Sequence, residues 1–166
     1  MKSKNVISLF AGAGGMDLGF KKAGFNIIWA NDFEKDAVTT YKNNIGDHIV
    51  YGDITKIDIK NELPNEEEID LVIGGFPCQG FSVNNIKRNM KDKRNFLYLE
   101  LLKVIELKKP KFFVAENVKG LLSMEKGKVI DMIVKDFENL GYEVDYQLLN
   151  AADYGVPQAR ERVIII

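Results

Sequence analysis

Residues 6–15 read Val-Ile-Ser-Leu-Phe-Ala-Gly-Ala-Gly-Gly, and this stretch decides the fold. Val6 to Phe10 is a short apolar run that stops on glycines, as a strand buried in a parallel sheet does. A short helix from about Met16 to Ala23 follows, closed by Gly24. A glycine loop between strand and helix lets the backbone approach a ligand closely at the carboxyl edge of a sheet. The same residues imitate a secretion signal, with Lys2 and Lys4 ahead of the apolar run. That run is short and dissolves into glycines, with Asp17 following, so a strand entering a loop is the better reading.

Outward from this unit, strand-like and helix-like stretches alternate. Asn26 to Ala30 reads as a second strand, Phe33 to Asn43 as a helix and His48 to Tyr51 as a weaker third strand. The acidic stretch from Glu62 to Asp70 reads as a solvated connection, and Asp70 to Gly74 (DLVIG) as a buried strand. Phe96 to Leu107 carries Leu97, Leu101, Val104 and Ile105 on one side and Glu100, Lys103 and Glu106 on the other, which predicts a helix with one wet face. Pro110 ends it, and Lys111 to Ala115 is another buried strand. Val129 to Leu140 is amphipathic and stops at Gly141, a favourable residue just past a helix end. Tyr142 to Leu149 and Arg162 to Ile166 form a final strand pair around a Gly155-Val156-Pro157 turn. The pattern predicts an α/β fold with a doubly wound, mostly parallel, Rossmann-like sheet ending in a C-terminal antiparallel pair.

Composition sets outer limits. The chain has 166 residues, 46% hydrophobic and 28% charged, which is one domain's worth of ordinary globular sequence. A single cysteine and a single histidine exclude an internal disulfide and a Cys/His zinc site, so no metal is expected. The 23 basic and 24 acidic residues nearly cancel, so any nucleic-acid contact must rest on local residues. No run approaches the roughly 18 apolar residues of a membrane span. The expected setting is cytoplasmic, with no membrane partner.

Chemistry-bearing residues fall after the strands. Asp32 lies 17 residues past Gly15, at the end of the second strand, where an acid accepts hydrogen bonds from ribose hydroxyls. Asp53, after Gly52, could hold an adenine amine. Three such features in register predict an adenosine-type cofactor. The loop lacks the Gly-Lys-Ser/Thr ending of a triphosphate-binding loop and is not a strict Gly-x-Gly-x-x-Gly. After DLVIG comes Gly75-Phe76-Pro77-Cys78-Gln79-Gly80-Phe81-Ser82. A lone cysteine is commonly a small core residue, but Cys78 lies past a strand's carboxyl end between glycines, where a thiolate would serve as nucleophile. Phe81 stands where a redox pair would need a second cysteine, and no Pro-Cys-x-x-Cys accompanies a His-x-Glu as in zinc deaminases. Glu116-Asn117-Val118 follows the next strand as a loop, a solvated charge or a pocket acid. Gln158, Arg160 and Arg162 would share one face if that segment is a strand, either as a salt-bridged edge or as a converging basic cluster.

These segments, in this order, resemble the motifs of the DNA cytosine-5 methyltransferases. The matching pieces are Phe10 to Gly15, Asn31-Asp32, Gly52-Asp53-Ile54, Pro77-Cys78-Gln79, Asp92 to Leu97, Glu116-Asn117-Val118 and Gln158-x-Arg160-x-Arg162. The resemblance implies S-adenosylmethionine as cofactor, S-adenosylhomocysteine as product and double-stranded DNA as substrate. Phe10, Ala11, Gly12, Gly14, Gly15, Asp32, Phe33, Asp53, Ile54, Pro77 and Leu97 would bind the cofactor. Ser8 stands where some members carry an acid. Cys78 would add to cytosine C6, Glu116 would act at N3, Arg162 would hold the O2 edge and Arg160 would support the nucleophile side. The base would be flipped out of the duplex. Gln79, Ser82, Lys87, Arg88, Arg94 and Gln158 would contact DNA, with Lys91 and Lys93 in the same basic segment. By the same resemblance residues 1–166 form the catalytic and cofactor-binding domain. A target-recognition region and a last cofactor-pocket segment would follow, so a C-terminal complementing segment or subunit is an expected partner. The alternatives are a non-catalytic cofactor-binding or split-enzyme subunit, and a small-molecule methyltransferase, which would need no thiolate.

Overall fold

The structure is a computed structural model that describes residues 4–64, 69–77 and 97–166. Among the described residues the strands and α-helices run β1 Asn5–Leu9, α1 Gly15–Lys22, β2 Asn26–Asp32, α2 Lys35–Asn44, β3 Ile49–Tyr51, α3 Ile59–Glu62, β4 Leu71–Gly74, α4 Leu97–Lys108, β5 Phe112–Val118, α5 Lys128–Asn139, β6 Tyr146–Asn150 and β7 Glu161–Ile165. The strand order is β3-β2-β1-β4-β5-β7-β6. The α/β class and the C-terminal antiparallel pair are as the alternating pattern predicts. Contacts divide the chain into two compact units, Met1–Gly75 with Lys103–Val114, and Phe76–Leu102 with Ala115–Ile166.

In the first unit β1 pairs in parallel with both β2 and β4, and β2 with β3. Being central, β1 is buried on both faces, which is why Val6, Ile7 and Leu9 are all fully buried. Val6, Ile27, Ala30, Ile49, Leu71 and Ile73 from the strands pack with Val38, Tyr41 and Ile45 of α2 and the residue following it. β2 runs two residues further than its apolar pattern, because Asn31 and Asp32 still pair with Val50 and Tyr51 of β3.

In the second unit β7 is antiparallel to both β5 and β6. The apolar residues of α5, Val129, Ile130, Ile133 and Phe137, are all buried at helical spacing. Gly141 adopts φ +95° just past the helix, the left-handed conformation that ends it. Residues 119–127, which precede α5, are two short helical turns broken by a kink at Met124, Glu125 and Lys126, the last two at positive φ.

Three expectations are corrected. β5 runs through Val118, so Glu116-Asn117-Val118 is strand and not a loop after it, because pairing with β7 outweighs the weak strand preference of Glu and Asn. Glu100 does not lie on a wet face of α4; it is buried, while Lys103 and Glu106 are exposed. β7 begins at Glu161, so the two-residue alternation does not extend back to Gln158.

Candidate functional site

In the first unit the carboxyl ends of three strands are laced together. Phe10 takes φ +55° and Gly12 φ +57°, turning the chain sharply out of β1. The Ala11 amide donates to the Asn31 carbonyl at 3.0 Å. The Gly12 amide donates to Asp32 Oδ2 at 2.8 Å, and Asp32 Oδ1 accepts from the Glu34 amide at 2.8 Å. The Asn31 amide group donates to the carbonyls of Val50 (3.0 Å) and Gly52 (2.9 Å), and the Gly52 amide donates to the Asp32 carbonyl at 3.0 Å. Asn31 and Asp32 thus fix the glycine loop and the turn after β3 from one point between them. Asp53 Oδ1 accepts from the Thr55 amide and hydroxyl, capping the turn that begins at Ile54. Ile54 is buried beneath it, and Phe33, next to Asp32, is 57% exposed.

This arrangement has room for a ligand where glycines stand. A β-carbon built on Gly12 or Gly15 meets nothing within 4 Å, whereas one on Gly14 would lie 2.7 Å from Ile45 Cγ1 and 2.9 Å from Tyr41 Cδ2. Gly14 is therefore required by packing, and Gly12 and Gly15 leave the outer side of the loop open. An open glycine edge, an acid anchored beside it and an exposed aromatic ring next to that acid suit a nucleoside-bearing cofactor.

In the second unit an acid and two arginines gather on one face of the β5–β7 pair. Arg162 lies opposite Val118, so it is the diagonal same-face neighbour of Glu116. Its Nε sits 2.8 Å from Glu116 Oε1, and Arg160 Nη2 lies 3.9 Å from the same oxygen. Arg162 Nη1 also donates to the Glu161 carbonyl at 2.8 Å, which orients the guanidinium. The Glu116 side chain is 21% exposed, against 26% for Arg162 and 50% for Arg160. A half-buried carboxylate held through one oxygen, with cationic donors beside it, can present its other oxygen to a polar ring. Gln158 lies exposed in the bend before β7.

On the opposite face of β5, Asn117 is buried. Its amide group donates to the Phe76 carbonyl at 2.9 Å while its Oδ1 accepts from the Val118 amide at 2.8 Å. Asn117 therefore pins the backbone two residues ahead of Cys78. Pro77 and Leu97 belong to this second unit and are part-buried. Cys78, Gln79, Ser82, Lys87, Arg88 and Arg94 lie outside the described residues.

The anchoring roles of Asn31 and Asn117 were not read from the sequence. An available signal was an asparagine inside an otherwise apolar strand, because a buried amide must find hydrogen-bond partners. Asp17 was also missed: it is fully buried, accepting from Ser8 Oγ at 2.7 Å and from the Tyr41 hydroxyl at 2.6 Å. Among the described residues no group of three or more His, Cys, Asp or Glu could hold a metal, and no helix is long and apolar enough to cross a membrane.

Residues 4–166 match the family described as C-5 cytosine-specific DNA methylase. The chain is 48% identical over 161 residues to the Type II methyltransferase M.NgoFVII of Neisseria gonorrhoeae, covering 97% of this chain and 42% of that protein. It is 44% identical over 176 residues to the Type II methyltransferase M.AquIA of a Picosynechococcus species, covering 98% of this chain and 71% of that one. The chain thus spans less than half of the first relative. Among solved structures, an E. coli prophage protein described as a DNA modification methyltransferase superposes with a TM-score of 0.78 at 33% identity, covering 98% of this chain and 46% of that one. S. pombe Dnmt2, at 24% identity and a TM-score of 0.77 over 98% of this chain and 50% of its own, shares the fold.

Proposed function

The chain belongs to the C-5 cytosine-specific DNA methylase family, and from that premise we propose that it is the catalytic part of a DNA cytosine-5 methyltransferase. S-adenosylmethionine is the proposed cofactor and double-stranded DNA the proposed substrate. The observation that carries the reading is the contact of Arg162 Nε with Glu116 Oε1, an acid and a base-edge donor fixed by the same strand pair. The open edge at Gly12 and Gly15 supports the cofactor assignment.

When bound, the cofactor supplies an electrophilic methyl group on a positively charged sulfur. Phe10, the loop from Ala11 to Gly15, Asp32, Phe33, Asp53, Ile54, Pro77 and Leu97 are the residues proposed to hold it. Cytosine C5 is too weak a nucleophile to accept that methyl unaided. The Cys78 thiolate adds to C6, forming the S–C6 bond and pushing an electron pair towards C5 and N3. Glu116 stabilises the charge arriving at N3, Arg162 holds the O2 edge and Arg160 supports the nucleophile side. The bound cofactor would supply the methyl group to C5, its S–CH3 bond breaking to leave S-adenosylhomocysteine; a base would then remove the C5 proton, and the returning electron pair would expel the Cys78 thiolate. A stacked base cannot be attacked in this way, so the cytosine is flipped out, with Gln79, Ser82, Lys87, Arg88, Arg94 and Gln158 as the proposed DNA contacts.

The test is covalent trapping. The chain, alone and with a candidate C-terminal complementing segment, is incubated with S-adenosylmethionine and DNA carrying 5-fluorocytosine, whose C5 fluorine blocks the final elimination. A Cys78-dependent adduct is the expected result, weak or absent for the chain alone. An adduct only in the presence of the partner makes the chain one subunit of a split enzyme, and none with the partner present overturns the assignment.

A further inference from the structure

Beneath the glycine loop lies a buried polar chain that the methyl-transfer chemistry does not use. Ser8 of β1 donates to Asp17 Oδ1 at 2.7 Å, and the Tyr41 hydroxyl of α2 donates to Asp17 Oδ2 at 2.6 Å. The Tyr41 oxygen also lies 3.0 Å from His48 Nε2. A tyrosine that donates to a carboxylate can only accept from the imidazole, so this arrangement requires the proton on Nε2. Asp17 and Tyr41 are both fully buried. A buried carboxyl is costly, and apolar side chains of the same volume would serve stability as well or better. What the network supplies instead is orientation.

The position of the network shows what is oriented. Asp17 sits in the first turn of α1, Ser8 near the end of β1 and Tyr41 in α2, so the network joins the three elements that enclose residues 10–15. Gly14 rests on the Tyr41 ring so closely that a β-carbon there would lie 2.9 Å from Cδ2 and 3.1 Å from Cε2. We propose that Asp17 and Tyr41 are positioning residues for the glycine loop, holding the ring against which Gly14 seats and thereby setting the affinity for S-adenosylmethionine. The affinity half rests on the cofactor reading above.

The test uses Tyr41→Phe, which keeps the ring and removes its hydroxyl, and Asp17→Asn, which keeps the shape and removes the charge. Amide hydrogen exchange of Gly12 and Gly14 is measured by NMR in the cofactor-free chain, with Val72 in β4 as the gauge of global opening. Calorimetry gives the affinity for S-adenosylhomocysteine. Loss of a hydrogen bond to a buried carboxylate predicts about tenfold faster exchange at Gly12 and Gly14 relative to Val72, and about tenfold weaker binding. Equal acceleration at Val72 means a merely structural role and overturns the proposal, as does affinity within twofold of the parent chain. If the parent chain itself does not bind S-adenosylhomocysteine, the cofactor reading fails, and the exchange ratio alone decides whether the loop is positioned by this pair. Should Tyr41→Phe not fold, Ser8→Ala, which removes only the Oδ1 partner, gives the same comparison.

Discussion

Alanine substitution along the glycine loop separates packing from ligand space. Gly14 has φ +88°, and an added β-carbon would stand 2.7 Å from Ile45 Cγ1 and 2.9 Å from Tyr41 Cδ2. Neither neighbour yields easily: Ile45 is 7% exposed, and Tyr41 is fully buried with its hydroxyl tied to Asp17 and His48. A left-handed alanine costs about 1–2 kcal/mol, and overpacking of a rigid site about 1–3 kcal/mol. Gly14→Ala should therefore lose about 2–5 kcal/mol, a large fraction of the 5–15 kcal/mol typical of a folded domain. For a chain of this size that is a fall in Tm of about 4–20 °C by circular dichroism. Gly12→Ala, at φ +57° with nothing within 4 Å, should lose only about 1–2 kcal/mol. Gly15→Ala, with neither a positive φ nor a neighbour, should melt close to the parent chain. Both of these variants should still weaken S-adenosylhomocysteine binding, since their methyl groups enter the space assigned to the cofactor. If Gly14→Ala melted within 2 °C of Gly15→Ala, the packing argument would be refuted.

Further substitutions address the second unit and the buried network. Asn117→Ala removes the buried amide that donates to the Phe76 carbonyl and should cost about 1–3 kcal/mol in urea denaturation, whereas a surface change should leave the midpoint unmoved. Glu116→Gln in the complemented enzyme should slow formation of the trapped DNA adduct by about 10²–10⁴-fold, while calorimetric binding of S-adenosylhomocysteine stays within twofold. Burial pushes the His48 pKa below its ordinary value, with Lys21 adding to the shift and Asp17 and Asp47 opposing it. Its contribution to stability is present above about pH 6.5 and is lost as pH falls through the lowered folded value. His48→Gln should flatten that acid limb in urea midpoints measured from pH 3.5 to 8. Burial raises the Asp17 pKa, against the hydrogen bonds from Tyr41 and Ser8, so its contribution has the opposite sign. It is present below about pH 3.8 and lost as pH rises through the raised folded value, a loss that Asp17→Asn should abolish.

The sequence made the architecture legible wherever burial wrote a continuous pattern, as in β1, β4 and the apolar face of α5. It was less legible where pairing overrode local preference. Glu116 and Asn117 are poor strand residues, and their place in β5 comes from β7, more than forty positions further along the chain. Carboxyl groups misled in two ways. Asp17 reads as a charge that breaks an apolar start and Glu100 as part of a wet face, yet both are buried, because a partner's hydrogen bonds or packing are invisible to a periodicity. The candidate site shows the same division. Gly12, Asp32, Glu116, Arg160 and Arg162 could be singled out as candidates, and the structure joins Gly12 to Asp32 and both arginines to Glu116. The amides of Asn31 and Asn117 that hold the backbone around those residues became identifiable only from their hydrogen bonds.

The strand order β5-β7-β6 also bears on how this protein is made. β7 follows both β5 and β6 in sequence yet lies between them. From Val118, the end of β5, to Glu161, the start of β7, is 161 − 118 = 43 positions. At a ribosomal pace of roughly 5–20 residues per second, the β5 edge waits roughly 2–9 s for its partner. Through that interval its amides and carbonyls are open to other chains, and Glu116 has not yet met Arg162. Nascent-chain aggregation should therefore peak for ribosome-stalled chains that end between β5 and β7, and fall once β7 has emerged.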